Sequence, residues 1–405
     1  MSNAIPNQEI PLSQTKLVLL LGSLVALDPM SLDMYLPAFK DIATSFNTSI
    51  SMVELSVTTF FVGMALGQLI YGPLTDRFGR RKPLLAGMLV YFFSTIACAF
   101  APNIETFIGF RLLQSLGGCA GMVITRAIAR DLFDAKQNAI FFSNMALVMS
   151  LGPILAPIIG TGIDHIFGWR AIFYLLAAFN MFCFINIFLF LPETNKNPHK
   201  TIRLKQTLKN YGSLFKNKIF ISYLVPDTTI RAGMFAYIAG SSYVFINAYE
   251  FTQAQYSLLF ALNGTGIVLS AQINRRLLNR FSSHQILSTS IYAAAIASVI
   301  VLIGGMFGSM ALMLMAPLFL FIACLNFISP NSMALAMESQ GHQAGTAAAF
   351  YGSAQWFFAS IASAFVSHFH DSSALPMTAT ICGCGIASMI GYQLLQRGSN
   401  KKATV

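Results

Sequence analysis

Charge is scarce in this sequence. Only 10% of its 405 residues are Asp, Glu, Lys or Arg, against ~25% in an average soluble domain. With 55% hydrophobic residues and a mean hydropathy of +0.64, the chain lacks the polar residues to cover a water-facing surface. A single soluble core also stops growing at roughly 250–300 residues. Cysteine is sparse and scattered. Cys98, Cys119, Cys183, Cys324, Cys382 and Cys384 all sit in apolar stretches and read as small hydrophobes. No apolar run carries an HExxH segment or a Ser/His/Asp cluster at catalytic depth. These absences exclude a soluble enzyme, a disordered chain and a disulfide-stapled secreted domain. Acids are rarer than bases, 15 against 25, for a net charge of +10. On a soluble protein that excess would point to nucleic acid. Here it points to loops facing anionic membrane lipid, and no nucleic-acid partner is expected.

Long apolar runs are abundant. A bilayer core of ~30 Å needs about 20 apolar residues as a helix. Twelve such runs lie near 17–39, 51–72, 84–101, 106–128, 139–163, 168–191, 219–248, 254–274, 285–307, 309–333, 343–367 and 375–396. Their length and Gly/Pro interruptions argue against the ~10-residue alternating strands of a membrane barrel. The first run carries Asp28 and Asp33 and has no small-residue cleavage site, so it reads as a retained helix rather than a signal peptide.

Orientation follows from Lys and Arg. With both termini in the cytoplasm, 21 of the 25 basic residues fall on the inside, and Lys40 and Arg170 on the outside. Arg111 and Arg231 lie within runs. A polar, Lys-rich stretch from about Pro192 to Lys218 straddles the midpoint. Two six-helix halves, 1–191 and 219–405, joined by a basic cytoplasmic linker, 192–218, imply a duplicated transporter with its site at the interface between halves. The expected fold class is therefore an all-α integral membrane protein of twelve transmembrane helices.

The segment Gly72-Pro-Leu-Thr-Asp76-Arg77-Phe-Gly79-Arg80-Arg81-Lys82 between runs two and three resembles the loop signature of the major facilitator superfamily. Gly72 and Gly79 would allow close approach and a tight turn, and Asp76 would sit at the N-terminus of a neighbouring helix. Arg111-Leu-Leu-Gln114 resembles the family's fourth-helix motif, and Gly152-Pro153-Ile-Leu-Ala-Pro157-Ile-Ile-Gly160 its antiporter signature. The strict signature has Gly where Val148 stands and two glycines in place of Ala156-Pro157. That variant resembles the Bcr/CflA drug-efflux subgroup. So do Leu32-Asp33-Met34-Tyr35-Leu36-Pro37, Gly168-Trp169-Arg170, Leu191-Pro192-Glu193-Thr194 and Ala344-Gly345-Thr346-Ala347. In the second half, Arg275-Arg276 stand where an acid–base pair would be expected.

The resemblance implies proton-coupled antiport. Small amphipathic, drug-like compounds would be exported across the bacterial inner membrane by alternating access. Protons would be the energy source, no cofactor or metal is expected, and the protein would act as a monomer and not as an enzyme. The alternative on the same fold is an exporter or importer of an endogenous metabolite such as a chelator, or a proton symporter.

Charges at bilayer depth cost ~2.5–3.5 kcal/mol each on insertion scales and so need partners or water. Asp33 and Arg111 lie at similar depth, so an ion pair is expected, with Asp33 exchanging protons and Arg111 tuning it. Asp28 is a second proton site or a partner for Arg231. Asp227 and Arg231, four apart, share a helix face. They form an intrahelical pair, or Arg231 recognises an anionic cargo. Tyr35, Gln114, Tyr237, Asn247, Asn326, Asn331, Gln355 and Trp356 are the remaining candidate cargo contacts, on spans that line the cavity in the family. Gly152, Pro153 and Pro157 join the loop residues Gly72, Asp76, Arg77, Gly79 and Arg80 as candidate gating positions. His368-Phe-His370-Asp371 reads as a loop cap, because residues two apart on a helix point ~200° apart.

Overall fold

The computed structural model describes residues 14–133, 135–195, 204–307, 311–338, 340, 344–369 and 373–400. Among them every regular element is helical. The long helices are α1 Gln14–Asp33, α3 Ile50–Phe78, α4 Arg81–Ala99, α5 Ile104–Leu132, α6 Ala135–Phe167, α7 Arg170–Phe190, α9 Lys218–Ser242, α10 Gln253–Leu277, α11 Ser283–Phe307, α12 Ala311–Glu338, α13 Ala344–His368 and α14 Leu375–Asn400. Two short ones, α2 Phe39–Ser45 and α8 Leu204–Lys216, complete the set. Each expected apolar run contains one long helix. Among the described residues nine segments are long and apolar enough to cross a membrane. α6, α9 and α13 lie among them in the same packing.

Local chemistry sets the boundaries. Ser49, Asn103 and Asn217 each accept a hydrogen bond from the backbone three residues on and so start α3, α5 and α9. Thr252 and Gln255 form a reciprocal capping box at α10. Gly79 and Gly168, at φ 82° and 80°, turn the chain after α3 and α6. The first span departs from expectation. α1 stops at Asp33, and a 3-10 turn at Leu36–Ala38 with Pro37 in its first turn leads into α2. Asp33 therefore ends its helix instead of lying well inside it.

The basic segment is also not wholly polar coil. Leu204, Leu208, Tyr211 and Phe215 recur at helical spacing, and α8 forms there. Leu214 is buried, and the Tyr211 and Phe215 rings lie 5.9 and 4.8 Å from Phe350 of α13. Residues 196–203 of that segment lie outside the described residues.

Helices before the basic segment pack mainly on one another, as do those after it. Two seams join the groups: α3 against α13 and α6 against α10. Hydrogen bonds cross them from Ser51 Oγ to the Ser367 carbonyl (2.6 Å), between the Thr58 and Ser363 hydroxyls (2.7 Å), and from Ser353 Oγ to the Ala65 carbonyl (3.0 Å). On the other seam the Thr161 and Ser257 hydroxyls meet at 2.7 Å. These contacts lie at the middle and outer levels of the helices.

Candidate functional site

Arg111 is fully buried on α5. It donates to Gln114 Oε1 and to the Ser31 carbonyl of α1, the latter at 3.1 Å. Three rings enclose its guanidinium: Tyr35 at 4.3 Å, Phe60 at 4.6 Å and Phe173 at 5.9 Å. Such desolvated cation–π contacts are worth up to about 2 kcal/mol each. Gln114 passes the network on to Thr95 (2.8 Å), and the Tyr35 hydroxyl meets Ser56 (3.0 Å). The expected Asp33–Arg111 ion pair is absent. The guanidinium is taken up by a backbone carbonyl, an amide and aromatic faces within the first group, while the field of Asp33 reaches Tyr237 and Tyr256 of the second. Tyr35 and Gln114 thus hold the core around Arg111.

Asp28 is 3% exposed, and no donor reaches either of its carboxylate oxygens. It fits against α5 because position 118 is glycine. A Cβ there would lie 2.8 Å from Asp28 Oδ1. The expected pairing with Arg231 does not form. The cation whose field reaches Asp28 is Arg126 of α5. Arg126 falls with the cytoplasmic basic residues by charge pattern, although it lies within the last three positions of the 106–128 run. In the structure it lies six residues before the end of α5 and is exposed, although Thr125 and Ile128 beside it are buried.

Asp33, also 3% exposed with Oδ1 unpartnered, confronts a polar group of the second half. There Asn263 Nδ2 donates to the Tyr237 hydroxyl (2.9 Å), and the Tyr256 and Ser241 hydroxyls meet at 2.9 Å.

Asp227 accepts hydrogen bonds from Ser329 of α12 and from Tyr351 (2.8 Å) and Gln355 (2.7 Å) of α13. Arg231 donates to the same Ser329 hydroxyl at 2.6 Å. The two charges share a face as expected, yet no direct ion pair forms. Ser329 stands between them, and Arg231 Nε has no partner. The Trp356 ring packs on Phe235 (4.9 Å) and Phe61 (5.6 Å), bridging the groups at the α3–α13 seam.

Asn326 and Asn331 do not line a shared site with these groups. Asn326 donates to the Ile267 carbonyl (2.6 Å) and Asn331 to Asn274 Oδ1 (3.0 Å), so both tie α12 to α10. Asn247 lies half-buried in a π-helical turn, Tyr243–Ala248, beyond α9. His370 and Asp371 lie outside the described residues. Sequence reasoning missed Glu54, which is 0% exposed on α3. An acid inside the second apolar run was the available signal. Its surroundings belong to the second group: Glu54 shares a cavity of about 10 Å³ with Gly240, Tyr243, Val366, Ser373 and Met377, among others.

The cytoplasmic loop corrects two expectations. Gly79 makes the tight turn, and a Cβ there would collide with the Glu193 carboxylate. Gly72 has open space around it and makes no close approach. The acid at the N-terminus of α4 is Glu193, which accepts from the Arg80 and Arg81 backbone amides at 2.7 and 3.1 Å. Asp76 pairs instead with Arg80 (2.8 Å), which also binds Asp131 (2.9 Å). Burial pulls the Arg80 pKa down, but the hydrogen bonds and charges of Asp131 and Asp76 outweigh it and raise the net value. Arg77 lies over the Phe78 ring. In α6, Gly152 approaches Pro29 of α1, Pro153 lies beside Gly264 of α10, and the Pro157 carbonyl accepts from Ser257 at 3.2 Å.

A model of the Major Facilitator Superfamily matches residues 21–364. The chain belongs to this superfamily. The MFS-type transporter YdgK of Bacillus subtilis is 34% identical over 379 residues, 93% of this chain and 94% of that protein. The bicyclomycin resistance protein homolog of Haemophilus influenzae is 29% identical, with 93% and 95% covered. Multidrug resistance protein D of Escherichia coli is 30% identical, with 84% and 85% covered. These relatives bear out the resemblance to the Bcr/CflA subgroup. The chain is a multi-pass transporter of the bacterial inner membrane, from a family of transporters rather than enzymes.

Proposed function

We propose that this transporter exports small amphipathic compounds in exchange for protons. The 1–191 and 219–405 halves rock about the 192–218 segment to expose the site to either side. The observation that carries the reading is Asp28, a buried carboxyl on α1 with both oxygens free of donors. An isolated carboxylate in that setting is costly, and either a proton or a cation relieves it. Proton and cargo therefore compete for one group, which is the requirement of antiport. Asp33, at the interface with α9 and α10, is the second proton site. Arg111 serves by fixing α1 through the Ser31 carbonyl. One proton moving inward through 100 mV supplies about 2.3 kcal/mol. The names of the resistance-protein relatives support drug-like cargo.

The test is flux in proteoliposomes under pH gradients of either sign. Asp28→Asn abolishes proton-driven efflux but leaves downhill counterflow. Undiminished proton-driven efflux in that variant would refute the reading.

A second reading has its own support. The field of Arg231 reaches Arg126 from the opposite half, and two cations suit a carboxylate-bearing metabolite. An anion held by Arg126 would draw it from Asp28 and favour proton binding. Cargo and proton would then travel together, as in symport. Paired cargoes of opposite charge separate the readings: stimulation of anion uptake by an inward proton gradient would support the second.

A further inference from the structure

We propose that Arg126 is a tethered counter-cation for Asp28 and that cationic cargo is selected by displacing it. The inference rests on the antiport reading and names the residue that sets cargo charge.

The three buried-zone arginines differ in how they are held. Arg111 is caged by three rings and two hydrogen-bond acceptors. Arg231 is tied to Ser329. Arg126 has no hydrogen bond or ion pair among the described residues, and it keeps accessible surface although protein surrounds it on every side. It is the cation free to move. Its direction is set by the helix. Side chains on a helix lean toward its N-terminus, and the N-terminal direction along α5 leads from Arg126 to Gly118, where the Asp28 carboxyl rests. Eight residues separate the two positions, a rise of about 12 Å and a turn of about 80° around the axis. An extended arginine side chain, on the order of 6 Å long, covers about half of it. Long-range attraction without a fixed contact is the result.

The same face of α5 reaches the seam. Met122, one turn from Arg126, accepts from Gln68 Nε2 at 3.4 Å, and Gln68 Oε1 lies 3.0 Å from where a Cβ on Gly352 would sit. Tyr351, next in sequence, bonds Asp227, whose partner Ser329 holds Arg231. Arg231 therefore stands across the seam from Arg126, and the two like charges repel. The other titratable groups facing this pair are Tyr91 of α4 and Cys119 of α5.

In the cargo-free state Arg126 offsets the charge of Asp28 from a distance. A lipophilic cation that reaches Asp28 contributes a closer charge and apolar contact, and Arg126 swings into water. When a proton from water forms the O–H bond on Asp28, the attraction is lost and cation binding ends. Neutral cargo displaces nothing and does not depend on Arg126.

The experiment measures binding of tetraphenylphosphonium to the full-length protein in detergent across pH, with a neutral amphipathic cargo as reference. Arg126→Gln removes the competitor. Tetraphenylphosphonium then binds about tenfold tighter at alkaline pH, and the pH midpoint of binding rises by about one unit, while neutral cargo binds as before. Arg126→Lys keeps a cation and stays near the parent in both. If Arg126→Gln changes neither affinity nor midpoint while Asp28→Asn abolishes the pH dependence, the tether is refuted and the antiport reading stands. If Asp28→Asn leaves the pH dependence intact, both fall. If Arg126→Gln does not fold, Arg126→Lys carries the test with a bulkier variant, Arg126→Met. Equal cation affinity in these two refutes the proposal.

Discussion

A double-mutant cycle on Asp33 and Arg111 separates the observed geometry from the pairing that sequence depth implies. Were the two a buried ion pair, removing one partner would cost about 3–5 kcal/mol, and much of that would appear as coupling. In the structure Arg111 contacts Ser31, Gln114, Tyr35, Phe60 and Phe173, and Asp33 contacts none of these side chains by hydrogen bond. Arg111→Gln alone loses charge-assisted hydrogen bonds worth about 1.5–3 kcal/mol and the ring contacts. A loss of about 3 kcal/mol is expected. Asp33→Asn is nearly isosteric and costs under about 1 kcal/mol. The coupling between them should fall below about 0.5 kcal/mol. Arg111→Gln with Gln114→Leu is the positive control, with coupling of about 1–3 kcal/mol. Reversible unfolding in mixed micelles supplies all six values, the parent and Arg111→Gln serving both cycles. Coupling of 2 kcal/mol or more between Asp33 and Arg111 would refute the placement of both.

Two further outcomes test the seam and the site. Thr58→Cys with Ser363→Cys replaces hydroxyls 2.7 Å apart; oxidation should stop transport and reduction restore it, and full flux in the oxidised protein would show that this seam does not move. Gly118→Ala places a methyl 2.8 Å from Asp28 Oδ1, an overpacking cost of about 1–3 kcal/mol. It should weaken proton coupling, whereas Gly72→Ala, with open space around it, should stabilise by about 0.5–1 kcal/mol with coupling unchanged. Equal coupling in the two variants would count against the Asp28 site.

The spans were legible because bilayer thickness imposes a length and an apolarity that survive any detail of packing. The buried charges were legible for the same reason: Asp28, Asp33, Arg111, Asp227 and Arg231 interrupt apolar runs. Their partners were not. Arg111 takes a backbone carbonyl from Ser31 and Asp227 takes hydroxyls from Ser329 and Tyr351, and neither kind of group marks itself in a sequence. Charge-to-charge matching therefore predicted pairs that neutral donors and aromatic faces replace. Arg126 escaped because the inside-positive pattern explained it too easily. Glu193 escaped because Asp76, inside the recognised loop, was the nearer acid. Gly79 was readable from its turn, but the emptiness around Gly72 depends on which helix comes near, and spacing does not encode that.

The distribution of bond strengths argues for bodies that stay intact while the seams part. Inside the first group Arg111 and Arg80 bind several partners each with a full charge, and inside the second Asp227 collects three donors. Charge-assisted bonds of this kind are about twice as strong as neutral ones. Between the groups most of the hydrogen bonds described come from single neutral hydroxyls: Ser51, Thr58, Thr161, Ser242, Ser257 and Ser353. In membrane proteins such bonds average about 0.6 kcal/mol. A bond to charged groups is made by the Gln253 amide, which reaches Asp41 at 2.8 Å and Asp164 at 3.2 Å at the outer end. Those acids are only partly buried or exposed, so water replaces the amide at little cost. Opening the outer side thus breaks these neutral bonds, about 4 kcal/mol together on that scale, and exchanges the solvated Gln253 contact for water. A proton crossing 100 mV supplies about 2.3 kcal/mol, so the pH gradient or a second proton must contribute the rest, and two candidate carboxyls on α1 give the second proton a place to bind.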